Sequence, residues 1–253
     1  MEMVRGLPRL AVLIDAENAS ASIADNLFEE IATLGEATVR RIYGDFSGTR
    51  LKGWSEVAMR LAIVQQQQQA SVKGKNAADI ALVIDAMTLL HVGNVDGFCL
   101  VSSDSDFSRL ATEIRERGQM VYGFGEQKTP ESLRNACHRF IYFENFALNG
   151  EDRDPPEKTE RNTQAKRAHR PPSKAVPLIN KAIAQLNSDD GWVELAAVGS
   201  QLGNLNSDFD PRTYGEKKLS DLMRKAGAFD VETSNQSRGL RIRKKARSGK
   251  RAA

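Results

Sequence analysis

Residues 9–18 read RLAVLIDAEN, and residues 98–107 read FCLVSSDSDF. In each stretch a short apolar run is followed directly by acidic and other polar residues. Short apolar runs of this length are typical of strands that are buried on both faces of a parallel sheet. In such a sheet the carboxyl ends of neighbouring strands meet at one edge, where ligands bind. The two stretches therefore predict a parallel sheet with an acidic edge.

The same alternation continues through the first 150 residues. Further strands are predicted at residues 38–43, 62–64, 120–124 and 140–143, and helices at residues 26–34, 55–61, 76–90, 107–117 and 130–138. The helix at residues 76–90 is apolar on most sides, and we expect it to be deeply packed. Strands that alternate with helices favour an α/β fold in which helices cover both faces of the sheet.

The composition changes after residue 150. Residues 151–173 contain four prolines and many charges but no aliphatic residue larger than alanine, which predicts a linker. Beyond it, helices are predicted at residues 176–186, 193–202 and 214–225, and a hairpin at residues 229–233 and 240–243. Three helices and a hairpin indicate a small winged helix-turn-helix domain. The predicted organisation is a domain at residues 1–150, a linker at 151–173, a second domain at 174–244 and a basic tail at 245–253.

Composition excludes several classes of protein. The 253 residues are 40% hydrophobic and 27% charged, which is ordinary for a globular protein of one or two domains. The apolar runs are far shorter than the roughly 20 residues of a membrane span, and the first residues lack a signal-peptide pattern. We therefore expect a soluble, cytoplasmic protein with no membrane segment. Two cysteines and three scattered histidines form no zinc-ligand pattern, so a bound metal would need oxygen ligands.

Charge is unevenly divided along the chain. Residues 1–150 carry 15 Lys/Arg and 19 Asp/Glu, whereas residues 151–253 carry 21 and 14. An acidic part joined to a basic part indicates that the two have different roles. The basic part can attract nucleic acid, although its charge also fits plain solubility.

Four aspartates are placed at the predicted edge of the sheet. Asp15 follows the first strand directly, and Asp104 and Asp106 follow the strand at residues 98–101. Asp79 lies in the first turn of the predicted helix that begins at residue 76. Clustered carboxylates repel one another unless a cation neutralises them, and hard oxygen ligands suit Mg²⁺ or Mn²⁺. We therefore predict a divalent-metal site with these four carboxylates as ligands.

Nearby polar side chains extend the predicted site. Asn18 is placed to orient a water or a ligand, and Lys73 and Lys75 are placed to meet a substrate phosphate. Asp45 is a candidate fifth acid at the edge. Asp85 faces another side of its helix from Asp79, so we expect it to be structural.

A simpler interpretation exists for each aspartate taken singly. Asp79 with Asn76 fits a first-turn acid behind an N-cap, and Asp15 and Asp106 also fit helix caps. Four such acids at one edge are more than capping requires, which weakens the simpler interpretations when they are taken together, and on the pattern alone both explanations stay open.

The residues at these positions are similar to the NYN domain family, part of the PIN-like nuclease superfamily. The resemblance rests on motifs in order: LIDAENAS (13–20), KNAADIALVIDAM (75–87), GFCLVSSDSDF (97–107), VYGFGE (121–126) and TPESLRNACHRFIYFEN (129–145). It implies a Rossmann-like three-layer α/β/α fold and a divalent-metal-dependent ribonuclease. The metal-site acids of the family fall on Asp15, Asp79, Asp104 and Asp106, and its first-motif asparagine falls on Asn18.

The second predicted domain resembles an OST-HTH (LOTUS) domain through residues 190–232, DGWVELAAVGSQLGNLNSDFDPRTYGEKKLSDLMRKAGAFDVE. This resemblance implies a winged-helix fold that binds RNA or, in some proteins, a helicase partner. From charge alone the candidates for RNA contact are Arg212, Lys217, Lys218, Arg241, Arg243, Lys244 and Lys245. A solvated basic face that binds nothing is the alternative for each of them.

The sequence thus predicts a metal-dependent endoribonuclease with an RNA-binding second domain. As the PIN-like resemblance implies, water activated by the metal would attack the phosphodiester and leave 5′-phosphate and 3′-hydroxyl ends. Two alternatives stay open. One is a non-catalytic RNA-binding or adaptor protein, and the other is a phosphohydrolase of small esters, which the basic second domain disfavours. The oligomeric state and a protein partner for the second domain stay open as well.

Overall fold

The computed structural model describes residues 6–68, 76–149, 169–186, 188, 191–233 and 239–245. The chain divides into two compact units, Met1–Phe146 and Ala147–Ala253, and each is considered by itself. In the described ranges no helix combines the length and the apolar character that crossing a bilayer requires.

Six parallel strands form the sheet of the first unit. They are β1 (Arg9–Asp15), β2 (Glu36–Gly44), β3 (Val64–Gln67), β4 (Gly97–Val101), β5 (Met120–Gly125) and β6 (Arg139–Tyr142). Their order across the sheet is β3-β2-β1-β4-β5-β6. The chain moves outward from β1 to β3 and then returns to place β4 on the other side of β1. A parallel sheet opens a crevice at such a reversal, outside the carboxyl ends of the two strands.

Helices cover both faces of this sheet. One face carries α1 (Ala24–Ala32) and α2 (Lys52–Arg60), and the other carries α3 (Ala77–Val92), α4 (Ser108–Glu116) and α5 (Glu131–Ala136). On β1, Leu10, Val12 and Ile14 pack toward α1 and α2, whereas Ala11 and Leu13 pack toward the opposite layer. Burial on both faces explains why the run is apolar without alternation. The three-layer α/β/α fold predicted from the sequence is confirmed.

The prediction that α3 is deeply packed is wrong. Leu82 and Ala86 are its buried residues, whereas Ile80 and Ile84 are each 60% exposed. The helix packs against the sheet with one face, and its outer face is apolar as well. The sequence pattern shows that side chains on both faces of the helix are apolar, but it does not show which faces other elements cover. Such a helix is therefore predicted to be buried all round.

The glutamine run extends the edge strand of the sheet. β3 consists of Val64 and the glutamines at 65–67, and it pairs with β2 on one side. An edge strand is covered less than a central one, so polar side chains suit it. The sequence predicted a strand opening at residues 62–64, earlier than the strand that is observed.

The second unit contains three helices and a small antiparallel sheet. The helices are α6 (Val176–Ala184), α7 (Leu195–Leu205) and α8 (Leu219–Ala226), and the strands are β7 (Val193–Glu194), β8 (Phe229–Thr233) and β9 (Leu240–Lys244), in the order β7-β9-β8. Ile179, Val198, Leu202 and Leu222 form the centre of its core. The third helix begins later than predicted, because a separate 3-10 helix ends first at Gly215, where φ is 81°.

The end of the predicted linker packs with the second unit. Within the described residues, the backbone N–H of Arg170 donates to the carbonyl oxygen of Thr213 (3.0 Å). Residues 151–168 of the linker and 246–253 of the basic tail fall outside the described ranges.

Candidate functional site

Asp15 ends β1 as a buried carboxylate, with 1% of its surface exposed. Its Oδ1 accepts hydrogen bonds from the backbone N–H groups of Glu17 (3.0 Å) and Asn18 (3.3 Å). Its Oδ2 accepts from the side-chain amide of Asn18 (2.6 Å) and from the hydroxyl of Ser102 (2.9 Å). These donors offset the cost of burying a charge and fix the orientation of the carboxylate. Asp15 therefore caps the following turn, as the simpler interpretation holds, and is also tied to β4.

The segment after β4 brings two further carboxylates. The Ser102 hydroxyl accepts a hydrogen bond from the backbone N–H of Asp104 (3.1 Å), and Asp104 Oδ1 accepts one from the N–H of Asp106 (2.9 Å). Asp104 is the N-cap of the 3-10 helix Ser105–Phe107, which leads into α4. Asp106 is exposed and makes no capping bond to α4. Capping therefore explains Asp104 in part and does not explain Asp106.

Asp79 lies in the first turn of α3, in the layer of helices on the face of the sheet opposite to α1 and α2. Burial is the main cause that raises its pKa, and the negative charges of Asp15, Asp104, Glu17 and Asp106 add to the rise in that order, so that together they bring the pKa to about 6. Repulsion of this kind requires the carboxylates to be near one another. The other three predicted aspartates therefore lie near enough to Asp79 for their charges to act on it. Asn76 occupies the N-cap position of α3 without a side-chain capping bond, so an N-cap does not account for the pair.

The chemistry of this cluster fits a hard divalent cation. All its donors are oxygens, and a cation would relieve the repulsion that raises the pKa of Asp79. Among the described residues, however, no group of three or more His, Cys, Asp or Glu side chains is arranged to hold a metal ion. The donor types fit, and the ion itself stays a prediction.

Sequence reasoning missed two residues of this edge. Glu17 contributes to the repulsion at Asp79, and Ser102 joins Asp15 to the backbone of Asp104. Both residues lie inside the motifs quoted from the sequence, so their position close to Asp15 and Asp104 in the chain was the available signal. Their contacts depend on which strands are neighbours, and a motif does not state that.

The other predicted residues of the first unit have different outcomes in the structure. Asp45 accepts hydrogen bonds from Ser47 and Gln67, which hold its pKa below the usual range, and it is not among the carboxylates that raise the pKa of Asp79. Asp85 is structural, as expected, since it binds the Arg41 guanidinium and the Tyr43 hydroxyl, each at 2.8 Å. Lys73 and Lys75 lie in a segment that the structure does not describe.

Arg212 does not suit the RNA-binding role that its charge suggested. Its guanidinium is 10% exposed and lies 2.7 Å from the carboxylate of Asp210, which is 5% exposed. The same carboxylate accepts from the backbone N–H of Arg212 at the start of the 3-10 helix Pro211–Tyr214. The side chain is committed to a buried ion pair, and the earlier candidate is corrected accordingly.

The other basic candidates divide into two groups. The guanidinium carbons of Arg241 and Arg243 lie 4.8 and 4.5 Å from the centre of the Trp192 ring. These arginines also pair with Glu232 (2.7 Å) and Asp230 (3.4 Å) across the hairpin, so protein contacts hold both. Arg243 is nevertheless exposed, as are the candidates Lys217, Lys218, Lys244 and Lys245, of which Lys245 also donates to the carbonyl oxygen of Gly227 (3.1 Å).

Comparison with known protein families gives a match for each of the two units. The family description "NYN domain" matches residues 9–145, and "OST-HTH/LOTUS domain" matches residues 170–240, as the sequence motifs indicated. No curated protein matches the chain.

Several solved structures match parts of the chain. A protein of unknown function from Vibrio parahaemolyticus is 21% identical, with 55% of this chain and 94% of that chain covered and a TM-score of 0.44. An uncharacterized protein from Nitrosomonas europaea is 27% identical, with 40% and 100% covered and a TM-score of 0.29. MurG of Acinetobacter baumannii is 12% identical, with 87% and 70% covered and a TM-score of 0.37. With TM-scores below 0.5, these likenesses carry no argument about function.

Proposed function

Because the chain belongs to the NYN domain family and carries an OST-HTH/LOTUS domain after it, we propose that it is a divalent-metal-dependent endoribonuclease whose second domain binds RNA. The NYN family is a PIN-like nuclease family, and the OST-HTH domain is associated with RNA binding. The observation that supports the catalytic part is that Asp79 is partly buried beside the negative charges of Asp15 and Asp104, a repulsion that a cation would relieve.

Asp15, Asp79, Asp104 and Asp106 would hold Mg²⁺ or Mn²⁺. When bound, such an ion supplies an activated water and stabilises negative charge on a phosphoryl group. The chain's own contribution is orientation. Asn18 and Ser102 fix the Asp15 carboxylate through hydrogen bonds of 2.6 and 2.9 Å. No protein nucleophile is required, and the expected products carry 5′-phosphate and 3′-hydroxyl ends, as the family resemblance implies.

A non-catalytic RNA-binding protein is the alternative function. It is favoured by one observation, since no three acidic side chains in the described ranges are arranged to hold a metal ion. A cluster that never binds a cation would keep its repulsion permanently, at a cost to stability. The two functions therefore differ in whether a divalent ion binds and in whether RNA is cut.

One experiment separates these functions. Labelled single-stranded RNA, DNA of the same sequence and a chromogenic phosphate monoester are incubated with the protein in Mn²⁺, in Mg²⁺ and in EDTA. We expect cleavage of RNA with either metal and none in EDTA. Binding of RNA without cleavage in any metal would support the adaptor function, and hydrolysis of the ester alone would indicate a small-molecule phosphohydrolase.

A further inference from the structure

An open cleft adjoins the acidic edge on the side of α1 and α2. Its volume is about 530 Å³, and its walls come from the segment after β1, the start of α2 and the residue after β5. Asn18 lines this cleft and also donates to the Asp15 carboxylate. The cleft is therefore joined to Asp15 through Asn18, and the four aspartates themselves are not among the residues that line it.

The floor of the cleft is apolar and rigidly held. The Trp54 side chain is 2% exposed, and its indole N–H donates to the carbonyl oxygen of Ala19 (2.8 Å). The lining also includes several alanines and Gly53, which leave the cleft open above this floor. A Cβ placed on Gly53 would already be in van der Waals contact with the Cβ of Ala21 (3.4 Å), so a planar nucleobase would lie over these two residues and not between them.

Arg50 supplies the positive charge at this cleft. Of the described residues that line it, Arg50 alone is basic, whereas Glu17 and Glu126 are acidic. The Arg50 guanidinium is 67% exposed and lies 2.9 Å from the Glu17 carboxylate. An exposed ion pair contributes little to stability, so a phosphate can replace Glu17 at small cost. A guanidinium also binds phosphate through two parallel hydrogen bonds, which fixes the position of the phosphate.

We propose that this cleft is the subsite for the nucleotide next to the scissile phosphate of single-stranded RNA. Arg50 binds the phosphate of that nucleotide in place of Glu17, and the base lies in the open part of the cleft, over Gly53 and Ala21. The inference rests on the proposed function, because it takes RNA as the substrate. It adds a positioning role for α2, which carries none of the predicted metal ligands.

The test uses the full-length protein and a single-stranded RNA oligonucleotide in EDTA, over a series of salt concentrations. Arg50→Gln should weaken binding about tenfold and make the slope of log K against log salt shallower by about 0.7, the value for one phosphate contact on a single strand. Arg60→Gln is the matched control, since Arg60 is an exposed arginine at the far end of α2, the helix that begins just after Arg50, and pairs with Asp25 (2.6 Å). The control should keep the affinity and slope of the unaltered protein.

A second variant tests the base-binding part. Gly53→Leu fills the cleft and also raises helix propensity, so folding should be retained. With Mn²⁺ present it should raise the KM for RNA cleavage at least about fivefold, equivalent to about 1 kcal/mol. If Arg50→Gln matches Arg60→Gln in affinity and slope, or if Gly53→Leu leaves KM unchanged, the subsite assignment is overturned while the nuclease function stands. If the unaltered protein neither binds nor cuts RNA, the proposed function fails and the subsite with it.

Discussion

The Ser102 hydroxyl donates a hydrogen bond of 2.9 Å to Oδ2 of Asp15 and so joins the carboxyl ends of two neighbouring parallel strands. The same hydroxyl accepts a hydrogen bond from the backbone N–H of Asp104 (3.1 Å). One buried serine thus orients one carboxylate and holds the chain segment that carries the next. The spacing of the acidic edge depends on this contact as well as on the acids themselves.

Ser102→Ala should slow RNA cleavage although it removes no predicted metal ligand. Losing a hydrogen bond to a buried charged group costs about 1.5–3 kcal/mol, and we expect kcat to fall about tenfold with little change in KM. Ser102→Thr keeps the hydroxyl and should retain most of the rate. Steady-state kinetics on the three proteins, with thermal unfolding to confirm folding, provide the measurement. An alanine variant with the original kcat would show that Asp15 needs no such support.

Asp79→Asn should raise stability and abolish activity together. The variant removes a charge that Asp15 and Asp104 repel, so in EDTA at pH 7.5 the free energy of unfolding should rise by about 1 kcal/mol, a value reduced because Asp79 is partly exposed. Cleavage should fall about 100-fold or more.

The pH dependence of this effect follows from the raised pKa. Between the ordinary aspartate pKa of 3.8 and the folded value of about 6, the folded protein binds more protons at Asp79 than the unfolded chain does. Stability at this site is therefore lost as pH rises through that window. Thermal unfolding of the original protein and the variant should converge near pH 4 and diverge by pH 7.5. A variant that is less stable at pH 7.5 would contradict the repulsion.

The two faces of α3 should respond differently to substitution. Leu82→Ala removes a buried side chain and should lower the free energy of unfolding by about 2–5 kcal/mol. Ile84→Gln changes a side chain that is 60% exposed, and the effect should stay within about 0.5 kcal/mol. Denaturant unfolding measures both. Equal losses would mean that the outer face is covered, as the sequence alone predicted.

Substitution of Arg212 should lower stability, whereas substitution of the exposed lysines should affect RNA binding alone. Arg212→Ala leaves the buried Asp210 without its ion pair and should destabilise the second unit by about 3–5 kcal/mol. The double variant Lys217→Ala, Lys218→Ala should unfold at the original temperature. If these lysines contact RNA, it should bind RNA less tightly, with a salt slope shallower by about 1.4. Unchanged affinity and slope would remove both lysines from the RNA-binding surface.

The sequence was informative where one local pattern has one structural outcome. The uninterrupted apolar run of β1 predicts burial on both faces, and acids at strand ends predict a shared edge. The positions of Asp15 and Asp104 could therefore be predicted before their contacts were known.

What could not be predicted depends on neighbours distant in the chain. The bond between Ser102 and Asp15 requires β4 to return beside β1, which no motif states. The exposure of Ile84 depends on which layers cover α3. Arg212 is a local exception, because its partner Asp210 is only two residues away, and a count of charges does not reveal that the two side chains form a buried ion pair.

The central claim is tested most directly by the single-turnover rate of RNA cleavage for the original protein, Asp104→Asn and Asp96→Asn. Asp96 is the matched control, because it precedes β4 at the opposite end of the strand that Asp104 follows. With Mn²⁺ present, we predict a rate at least about 100-fold lower for Asp104→Asn and within about twofold of the original for Asp96→Asn, with no cleavage by any protein in EDTA. Cleavage that persists in EDTA, or an Asp104→Asn protein as fast as the original, would contradict the assignment of a metal-dependent nuclease site to this edge.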